Sequence, residues 1–413
     1  MQQSSQKLKR AFLALSVSLA LITTSAFAHD VVNPHKDEPI GTVRQVYDGA
    51  LTPDLQVNTF RNIDRLFATA KVAHDPSNIK ILPHAKEKLG NVKFKSHGKD
   101  YDLYDYLSIN RISGLIIIKD GEIVLEDYEL GNNENTRWMS MSVVKSITAT
   151  LIGMAIQDGY IKSIDDPIVN YLPELKGSSY DGVTVKHILQ MASGVAWNET
   201  YTDPTSDRRK LLEIQLEQKP GEALKLMASL PRAGEPGTVW NYSTGETQVA
   251  GALVKAAVGK PVSEYLSEKI WTKAGMESDA TWWLESPEGL EVGGSGLSAT
   301  LRDYARFGLL LLNEGIIDGK ESLPKGWMKE AGAQQMIGGK KVNYGYMLWP
   351  VVNSDYATNE SAYEAVGIFG QHVYVNPKEN LVIAVWGAQP KPTTVIPIED
   401  TDFFGAVADK LKK

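Results

Sequence analysis

The sequence predicts an α/β (α+β) domain in which strands near both ends of the chain enclose a large all-α insert. Three observations support this fold class. Apolar hairpin patterns occur early and late in the chain, helical patterns fill the stretch between them, and an amphipathic helix closes the chain. Tight turns between apolar runs indicate antiparallel strand pairs, whereas apolar residues three and four positions apart indicate helices. The two groups of strands are therefore expected to form one discontinuous domain.

The two hairpins are the clearest strand signals. Leu115–Ile118 and Ile123–Leu125 flank an Asp120-Gly121 turn, and Asp-Gly is a strong signal for a two-residue hairpin loop. The unbroken apolar run of the first strand predicts a strand that is covered on both faces. Gln371–Val375 and Leu381–Trp386 form the second hairpin pattern.

The remaining elements follow from periodicity and capping signals. Thr184 is a plausible N-cap, as is either Ser298 or Thr300. The predicted helices are Asn62–Ala73, Val185–Met191, Asp207–Lys219, Gly221–Leu230, Thr247–Val258, Ser263–Ile270, Leu301–Asn313 and Asp402–Leu411. Two further strands are predicted at Tyr344–Trp349 and Ala365–Ile368.

The domain organisation begins with a predicted signal peptide at residues 1–28, cleaved after Ala28. It has a basic start, an apolar run and a small-x-small site at Ala26-Phe27-Ala28. The protein is therefore expected to be periplasmic or secreted. Residues 29–95 are an N-terminal arm, broken by prolines. Residues 96–413 form the main domain, with its α/β part at about 96–135 and 290–413 and the helical insert at about 136–289.

The composition narrows the classes of function. The chain has 413 residues, a net charge of −7 and no cysteine, which excludes disulfides and thiol chemistry. An acidic chain without a basic run is a poor candidate for binding nucleic acid. Its seven histidines are scattered, so neither a metal nor another cofactor is expected, and no membrane span is expected after signal removal. The oligomeric state is left open.

The stretch Arg137–Gly159 carries the strongest chemical signal. After Lys145 it is apolar or small on every face until Gln157, which is typical of a buried helix. Ser142 and Lys145 are three residues apart, so they lie side by side in the first turn. A hydroxyl beside an amine at a helix start suits a nucleophilic serine, because the amine can take its proton and unpaired backbone N–H groups can hold an oxyanion.

The Ser-x-x-Lys spacing is not specific by itself. It occurs five times, starting at Ser4, Ser77, Ser96, Ser142 and Ser322, and only Ser142 opens a long apolar helix. The alternative is a serine near a helix start with a lysine that reaches solvent. Tyr242, which follows a Pro236-Gly237 turn, likewise has two interpretations, a functional phenol or a core aromatic.

Three ordered motifs resemble the penicillin-recognising serine hydrolases, a superfamily related to class C β-lactamases. They are Met139–Ser146, Pro236-Gly237 to Tyr242-Ser243, and Gly367 to Gly370-Gln371 ahead of a hairpin. The details are most similar to amidases and esterases like 6-aminohexanoate-dimer hydrolase. The resemblance covers about Leu115 to Trp386 and implies a β-lactamase/transpeptidase-like fold, with an antiparallel sheet flanked by N- and C-terminal helices.

The resemblance also implies roles for individual residues. Ser142 is the nucleophile that forms an acyl-enzyme, and Lys145 and Tyr242 act as general base and acid. The oxyanion would be held by the N–H of Ser142 and an N–H near Gly370 and Gln371. Further substrate-site candidates are Tyr201, where amide-cleaving members have a tyrosine that hydrogen-bonds the substrate amide, and Thr244 in the family's Tyr-x-Asn motif.

Two departures from the family pattern bear on the substrate. Thr244 replaces the asparagine, and Ile368-Phe369-Gly370 lacks the cation with which β-lactamases bind a substrate carboxylate. We therefore expect a serine hydrolase that cleaves a small ester or linear amide. Two alternatives remain open: a D-amino-acid peptidase or β-lactamase acting on cell-wall-like molecules, and a non-catalytic binding or sensor protein. The Gly-x-Ser-x-Gly elbow of α/β-hydrolases is absent.

Overall fold

The computed structural model describes residues 33–352, 354–393 and 396–412, so the predicted signal peptide lies outside the described residues. The helices are α1 Val43–Asp48, α2 Pro53–Arg61, α3 Leu103–Ile109, α4 Val143–Gln157, α5 Val185–Leu189, α6 Asp207–Glu217, α7 Glu222–Ser229, α8 Thr244–Val258, α9 Val262–Leu266, α10 Leu301–Leu312, α11 Trp327–Ala331 and α12 Asp400–Leu411. The strands are β1 Thr69–Val72, β2 Lys93–Ser96, β3 Lys99–Asp102, β4 Ile112–Lys119, β5 Glu122–Tyr128, β6 Arg137–Met139, β7 Ala280–Trp283, β8 Leu297–Thr300, β9 Ile316–Ile317, β10 Lys320–Glu321, β11 Gln335–Ile337, β12 Lys340–Val342, β13 Trp349–Pro350, β14 Tyr363–Gly367, β15 Gln371–Asn376 and β16 Leu381–Gly387.

The two predicted hairpins meet in one antiparallel sheet with the strand order β13-β14-β15-β16-β4-β5. Strand β16 pairs with β4, and Ile383 lies opposite Ile117. At the first hairpin, Asp120 and Gly121 both have positive φ angles, of 53° and 83°. Positive φ at both central residues matches the right-handed twist of a hairpin. Strands from the two ends of the sequence thus share one sheet.

Alternate residues of the central strands belong to two separate cores, as the period of two in a strand requires. Ile116 and Ile118 face the larger core, whereas Leu115 and Ile117 face a smaller one that contains Phe403 of α12. Helix α10 covers the face of the six-stranded sheet that belongs to the larger core. A Cβ at Gly308 of α10 would lie 2.5 Å from Val382, so the glycine lets the helix lie directly on the sheet.

The helix that follows Ser142 lies in the larger core, between the helical insert and the six-stranded sheet. Helix α4 is buried from Val143 to Ala155 and packs against α8 of the insert and β14 of the sheet. A second sheet, with the order β1-β7-β8-β6, leads into the start of α4 through β6. The prediction of a buried helix after Ser142 is confirmed.

The predicted helix Asn62–Ala73 is largely wrong, since only a 3₁₀ turn at Ile63–Arg65 is helical. Helix α2 ends at Arg61, and Thr69–Val72 forms strand β1, which pairs with β7. Two contacts explain this outcome: Trp283 Nε1 donates to the carbonyl of Ile63, and β7 supplies partners for the backbone of β1. Tertiary pairing therefore overrides the local helical pattern.

The predicted strand Tyr344–Trp349 is also largely wrong, since only Trp349–Pro350 is a strand. The backbone of this segment bonds elsewhere. Tyr346 N–H donates to Ala331 at the end of α11, and Met347 N–H donates to Leu189 at the end of α5. Met347 also has a positive φ of 54°, which a strand does not allow.

The N-terminal arm packs against the main body from α1 onward. Val46 and Phe60 are fully buried in the larger core. In the described residues, none of the helices is both long and apolar enough to cross a membrane.

Candidate active site

Ser142 lies at the bend between β6 and α4. The preceding Met141 has a positive φ of 41°, and Ser142 is the N-cap residue of α4. Its backbone N–H lies beside the hairpin that joins β14 and β15, because a Cβ on Gly367 would approach Ser142 N to 3.1 Å. Ser142 is only 8% exposed, so a reaction on its hydroxyl would be shielded from bulk water.

Lys145 is the most deeply buried charged side chain of this site, at 1% exposure. Its Nζ donates to Thr244 Oγ1 at 3.0 Å and to the carbonyl of Gly294 at 2.7 Å. Burial lowers the pKa of Lys145, and the nearby carboxylate of Glu199 raises it. Burial has the larger effect, so the pKa falls to about 7. A neutral amine that donates both its protons to these acceptors keeps a lone pair free to accept a proton.

Gly294 makes room for the lysine. A Cβ there would lie 2.8 Å from Lys145 Nζ and 2.4 Å from Thr247 Oγ1, which is closer than atoms pack. The Gly-rich stretch around it, which lacks the features of a phosphate-binding loop, therefore has a steric role in this site.

Tyr242 is partly buried beside Lys145, with Nζ 5.6 Å from the centre of its ring. Burial raises the pKa of Tyr242 well above its ordinary value, and the charge of Glu199 adds to this, while a hydrogen bond with the Ser142 side chain acts in the opposite direction. The phenol therefore keeps its proton at neutral pH. Of the two candidate bases, Lys145 is the one whose pKa suits proton acceptance.

Thr244 links the lysine to a carboxylate that the sequence interpretation missed. Its hydroxyl accepts from Lys145 and donates to Glu199, and its backbone N–H donates to Glu199 Oε2 at 2.8 Å. Trp197 Nε1 also donates to this carboxylate. Glu199 stands in a polar loop, where carboxylates usually face solvent, so no local signal distinguished it.

Tyr201 lies near the same charges. Burial raises its pKa strongly, and so do the charges of Glu199 and Tyr242. Its ring stacks on Tyr47 of the N-terminal arm, with the ring centres 6.3 Å apart and the planes 16° from parallel. The sequence of the N-terminal arm indicates no functional residues, yet the arm contacts Tyr201, a candidate substrate-binding residue.

Gln371 begins β15, and its side chain has a role separate from the backbone N–H that is expected near it as an oxyanion donor. Its side chain is buried and fully engaged: it accepts from Trp138 Nε1 and Gly387 N–H, and it donates to the carbonyls of Phe369 and Gly387. This side chain therefore supports the hairpin and is not available to substrate. An oxyanion donor in the backbone of this hairpin stays a prediction, with Gly367 as the residue placed beside Ser142 N.

The backbone conformation and close packing of Gly370 also favour glycine at this position. Its φ is 84°, and a Cβ would lie 2.7 Å from Gln389 Nε2. Ser142, Lys145, Tyr242, Tyr201 and Thr244 are thus brought together, whereas Gln371 and Gly370 shape the hairpin beside them.

A serine, a buried amine and a phenol lie together here, and these are the groups that a hydrolase acting through an acyl-enzyme uses. The family model described as "Beta-lactamase" matches residues 110–400, and the chain belongs to this family. The family assignment and fold class predicted above are confirmed, and the protein is a serine hydrolase.

Named relatives include the 6-aminohexanoate-dimer hydrolase of Paenarthrobacter ureafaciens, which is 28% identical over 303 residues, 71% of this chain and 76% of the relative. Esterase EstB of Burkholderia gladioli is 29% identical over 180 residues, 39% of this chain and 44% of EstB.

Solved structures show the same fold. A protein from Bacillus anthracis, provisionally assigned as a 6-aminohexanoate-dimer hydrolase, superposes with a TM-score of 0.75 at 23% identity, covering 87% of this chain and 93% of that one. A family VIII carboxylesterase gives a TM-score of 0.57 at 17% identity, covering 72% and 92%.

Proposed function

We propose that this protein hydrolyses a small ester or linear amide through an acyl-enzyme on Ser142. The observation that carries the proposal is the state of Lys145. It is buried in the first turn of the Ser142 helix, its pKa is lowered to about 7, and two neutral acceptors hold its amine.

In the proposed acylation step, Ser142 Oγ attacks the substrate carbonyl carbon while the Lys145 amine takes the hydroxyl proton. The negative charge on the carbonyl oxygen is held by the N–H of Ser142 and by a backbone N–H of the β14–β15 hairpin. Removing one such donor typically costs about 10²–10³ in rate. Tyr242 then gives its proton to the leaving oxygen or nitrogen as that bond breaks, and the Lys145 ammonium restores the phenol.

In deacylation, water replaces the leaving group and attacks the acyl carbon. One of its protons goes to the Lys145 amine, and the Lys145 ammonium then protonates the Ser142 oxygen as the bond to the acyl carbon breaks and the carboxylic acid leaves. The raised pKa of Tyr242 supports its assignment as proton donor, because a phenol that is protonated at neutral pH can donate but cannot act as the initial base.

The substrate class rests on the hairpin and on the relatives. Ile368-Phe369-Gly370 presents no cation, and relatives named as a 6-aminohexanoate-dimer hydrolase and an esterase support linear amides and esters. A peptidase or β-lactamase activity on cell-wall-like molecules is the competing outcome. We also propose export to the periplasm or the medium, based on the leader-like residues 1–28. N-terminal sequencing of the mature protein, expected to start at His29, tests this.

The test is hydrolysis of p-nitrophenyl butyrate, 6-aminohexanoate dimer and a chromogenic cephalosporin by the wild type and by Ser142→Ala, Lys145→Ala and Tyr242→Phe. We expect turnover of an ester or the linear amide, with a loss of at least about 10³-fold in Ser142→Ala. Ser77→Ala is the matched control, since Ser77 begins another Ser-x-x-Lys sequence but is exposed. Full activity of Ser142→Ala, or turnover of the cephalosporin alone, contradicts the proposal.

A further inference from the structure

Helix α1 of the N-terminal arm is tied to α6 of the helical insert by ion pairs. Arg44 forms a two-pronged pair with Glu213, with N···O distances of 3.0 and 2.5 Å. Asp48 pairs with Arg209 at 2.5 Å. Arg209 also donates to the carbonyl of Tyr201 at 3.2 Å, so the arm reaches the loop that carries this candidate substrate-binding residue.

Tyr47 lies between Arg44 and Asp48 in the sequence and makes a third contact with this region. It is 1% exposed, and its ring touches two side chains. The Tyr201 ring stacks on it, and Arg208 Cζ lies 4.2 Å from the centre of the ring. A guanidinium on an aromatic face is held by the negative face of the ring and by the fit of two flat groups.

The Tyr47 ring is the main support of the Arg208 guanidinium. Arg208 is 3% exposed, yet in the described part of the chain no carboxylate lies within 4.0 Å of its guanidinium and no protein acceptor hydrogen-bonds to it. Glu285 borders the same small cavity, but its Oε1 is held by the backbone N–H groups of Gly221 and Leu290. Burying a charge without a partner is costly, so the position of this guanidinium depends on the ring that it stacks on.

The start of α6 is connected to the candidate active site through the loop that precedes it. Arg208 N–H donates to the carbonyl of Asn198 at 3.1 Å. The next residue in the loop, Glu199, accepts from Thr244, which in turn accepts from Lys145. A continuous series of contacts therefore joins the N-terminal arm to the candidate base.

Arg208 and Glu199 act in opposite directions on the groups of the site. Burial has the largest effect on the pKa of Lys145, Tyr201 and Tyr242; after burial, the charge of Glu199 raises all three pKa values and the charge of Arg208 lowers them. The ionisable groups around Lys145 and Arg208 come from several elements: Tyr47 of α1, Glu199 and Tyr201 of the loop before α6, Tyr242 ahead of α8 and Glu285 after β7.

We propose that Tyr47 is a positioning residue of the candidate active site, because its ring holds the Arg208 guanidinium where the charge of the arginine opposes that of Glu199. The proposal rests on the proposed function and extends the site to the N-terminal arm. Without the ring, the guanidinium is free to leave its position, and the charge of Glu199 then dominates at Lys145. The Lys145 amine would bind its proton more readily, so the neutral, proton-accepting form would appear only at higher pH.

The test measures how the rate of Ser142 labelling by a fluorophosphonate depends on pH. Tyr47→Leu and Arg208→Gln should each move the midpoint of the profile to higher pH by at least about half a unit. Tyr47→Phe keeps the ring and should stay within about 0.2 units of the wild type. In the double variant, the shift should equal that of Arg208→Gln alone, because Tyr47 acts through Arg208.

Two further variants guard against effects on folding. Phe403→Leu removes a fully buried ring from the smaller core, and it should lower the unfolding temperature without moving the midpoint. If Tyr47→Leu does not fold, Tyr47→Met replaces it, because the flexible methionine side chain fills irregular gaps without supplying an aromatic face.

The outcomes separate this proposal from the proposed function. Failure of the wild type to be labelled overturns the acyl-enzyme proposal and, with it, this one. Normal labelling with an unchanged midpoint in Arg208→Gln overturns the Tyr47 proposal alone, whether or not the Tyr47 variants fold. It is also overturned if the shifts add in the double variant. Slower labelling at every pH in Tyr47→Leu or Tyr47→Met, with the midpoint in place, would assign Tyr47 a purely structural role.

Discussion

Thr244 Oγ1 accepts a hydrogen bond from Lys145 Nζ at 3.0 Å. The same hydroxyl donates its own proton to Glu199, so one threonine side chain joins the candidate base to a carboxylate. This linkage orients the amine with its donors occupied, and it places a negative charge where it influences the protonation of Lys145.

Replacing Thr244 by valine should lower kcat/KM by about 10- to 100-fold, because a buried hydrogen bond to a charged group contributes about 1.5–3 kcal/mol. Valine keeps the shape but leaves the Lys145 amine and Glu199 without their shared partner. Steady-state kinetics on a chromogenic ester measures the effect. Thr244→Ser, which keeps the hydroxyl, should remain within about threefold of the wild type. Equal losses of kcat/KM in the two variants would show that the hydrogen bonds of the Thr244 hydroxyl do not determine the activity.

The rate of labelling by a fluorophosphonate should rise with pH and level off, with its midpoint near the pKa of Lys145, about 7. Only the neutral amine can take the serine proton. Since Glu199 raises this pKa, Glu199→Gln should move the midpoint to lower pH. Glu217→Gln, an exposed change on α6, serves as the control. A midpoint that stays in place or moves to higher pH in Glu199→Gln contradicts the assignment of Lys145 as base.

Gly294→Ala should reduce activity by about 10² or more, because the added methyl group would displace Lys145 Nζ or Thr247 Oγ1. Gly251 in α8 is the matched control, since a Cβ there meets only ordinary contacts, the nearest at 3.7 Å. Gly251→Ala should stay active and gain up to about 1 kcal/mol in stability from helix propensity. Steady-state kinetics measures the activity of both variants, and urea unfolding measures their stability. Unchanged activity of Gly294→Ala would contradict the steric role of Gly294.

The buried ion-pair cluster beneath α12 should make stability depend on pH. His372 Nδ1 lies 2.8 Å from Glu364, and its Nε2 lies 3.3 Å from Asp400. Burial alone would lower the pKa of His372, but the two carboxylates outweigh it and raise the value from 6.5 to about 10. The protonated imidazole therefore contributes its full stabilisation below pH 6.5, and this contribution is lost as the pH rises to about 10.

The variant His372→Gln tests this cluster. Removing the cation leaves two buried carboxylates unpaired, a change that typically costs about 3–5 kcal/mol. Urea unfolding should show the larger difference from the wild type at pH 6 and a much smaller one at pH 10. His84→Gln, a change at a 54% exposed side chain, should leave stability nearly unchanged. A difference that is the same at both pH values would contradict the ionised histidine.

The elements predicted correctly are those whose signals are local. The Asp120-Gly121 turn and the apolar run of α4 each specify their own conformation, and Thr184 caps α5 as expected. The segments predicted wrongly, Asn62–Ala73 and Tyr344–Leu348, take their conformation from backbone partners that are distant in sequence.

The same distinction holds at the candidate site. Ser142 and Lys145 are recognisable from the sequence because they lie three residues apart, within one helix turn. Glu199 and Gly294 were missed because their roles arise from contacts with Thr244 and Lys145, which lie in other segments. Spacing along the chain does not reveal such contacts.

The most direct test of the acyl-enzyme proposal is the intact mass of the purified protein after incubation with a fluorophosphonate, with Ser142→Ala treated in parallel. We expect one adduct on the wild type, located by peptide mapping to the segment that contains Ser142, and none on the variant. An unmodified wild type, or an adduct that persists in Ser142→Ala, would show that the activated serine of this protein is not Ser142.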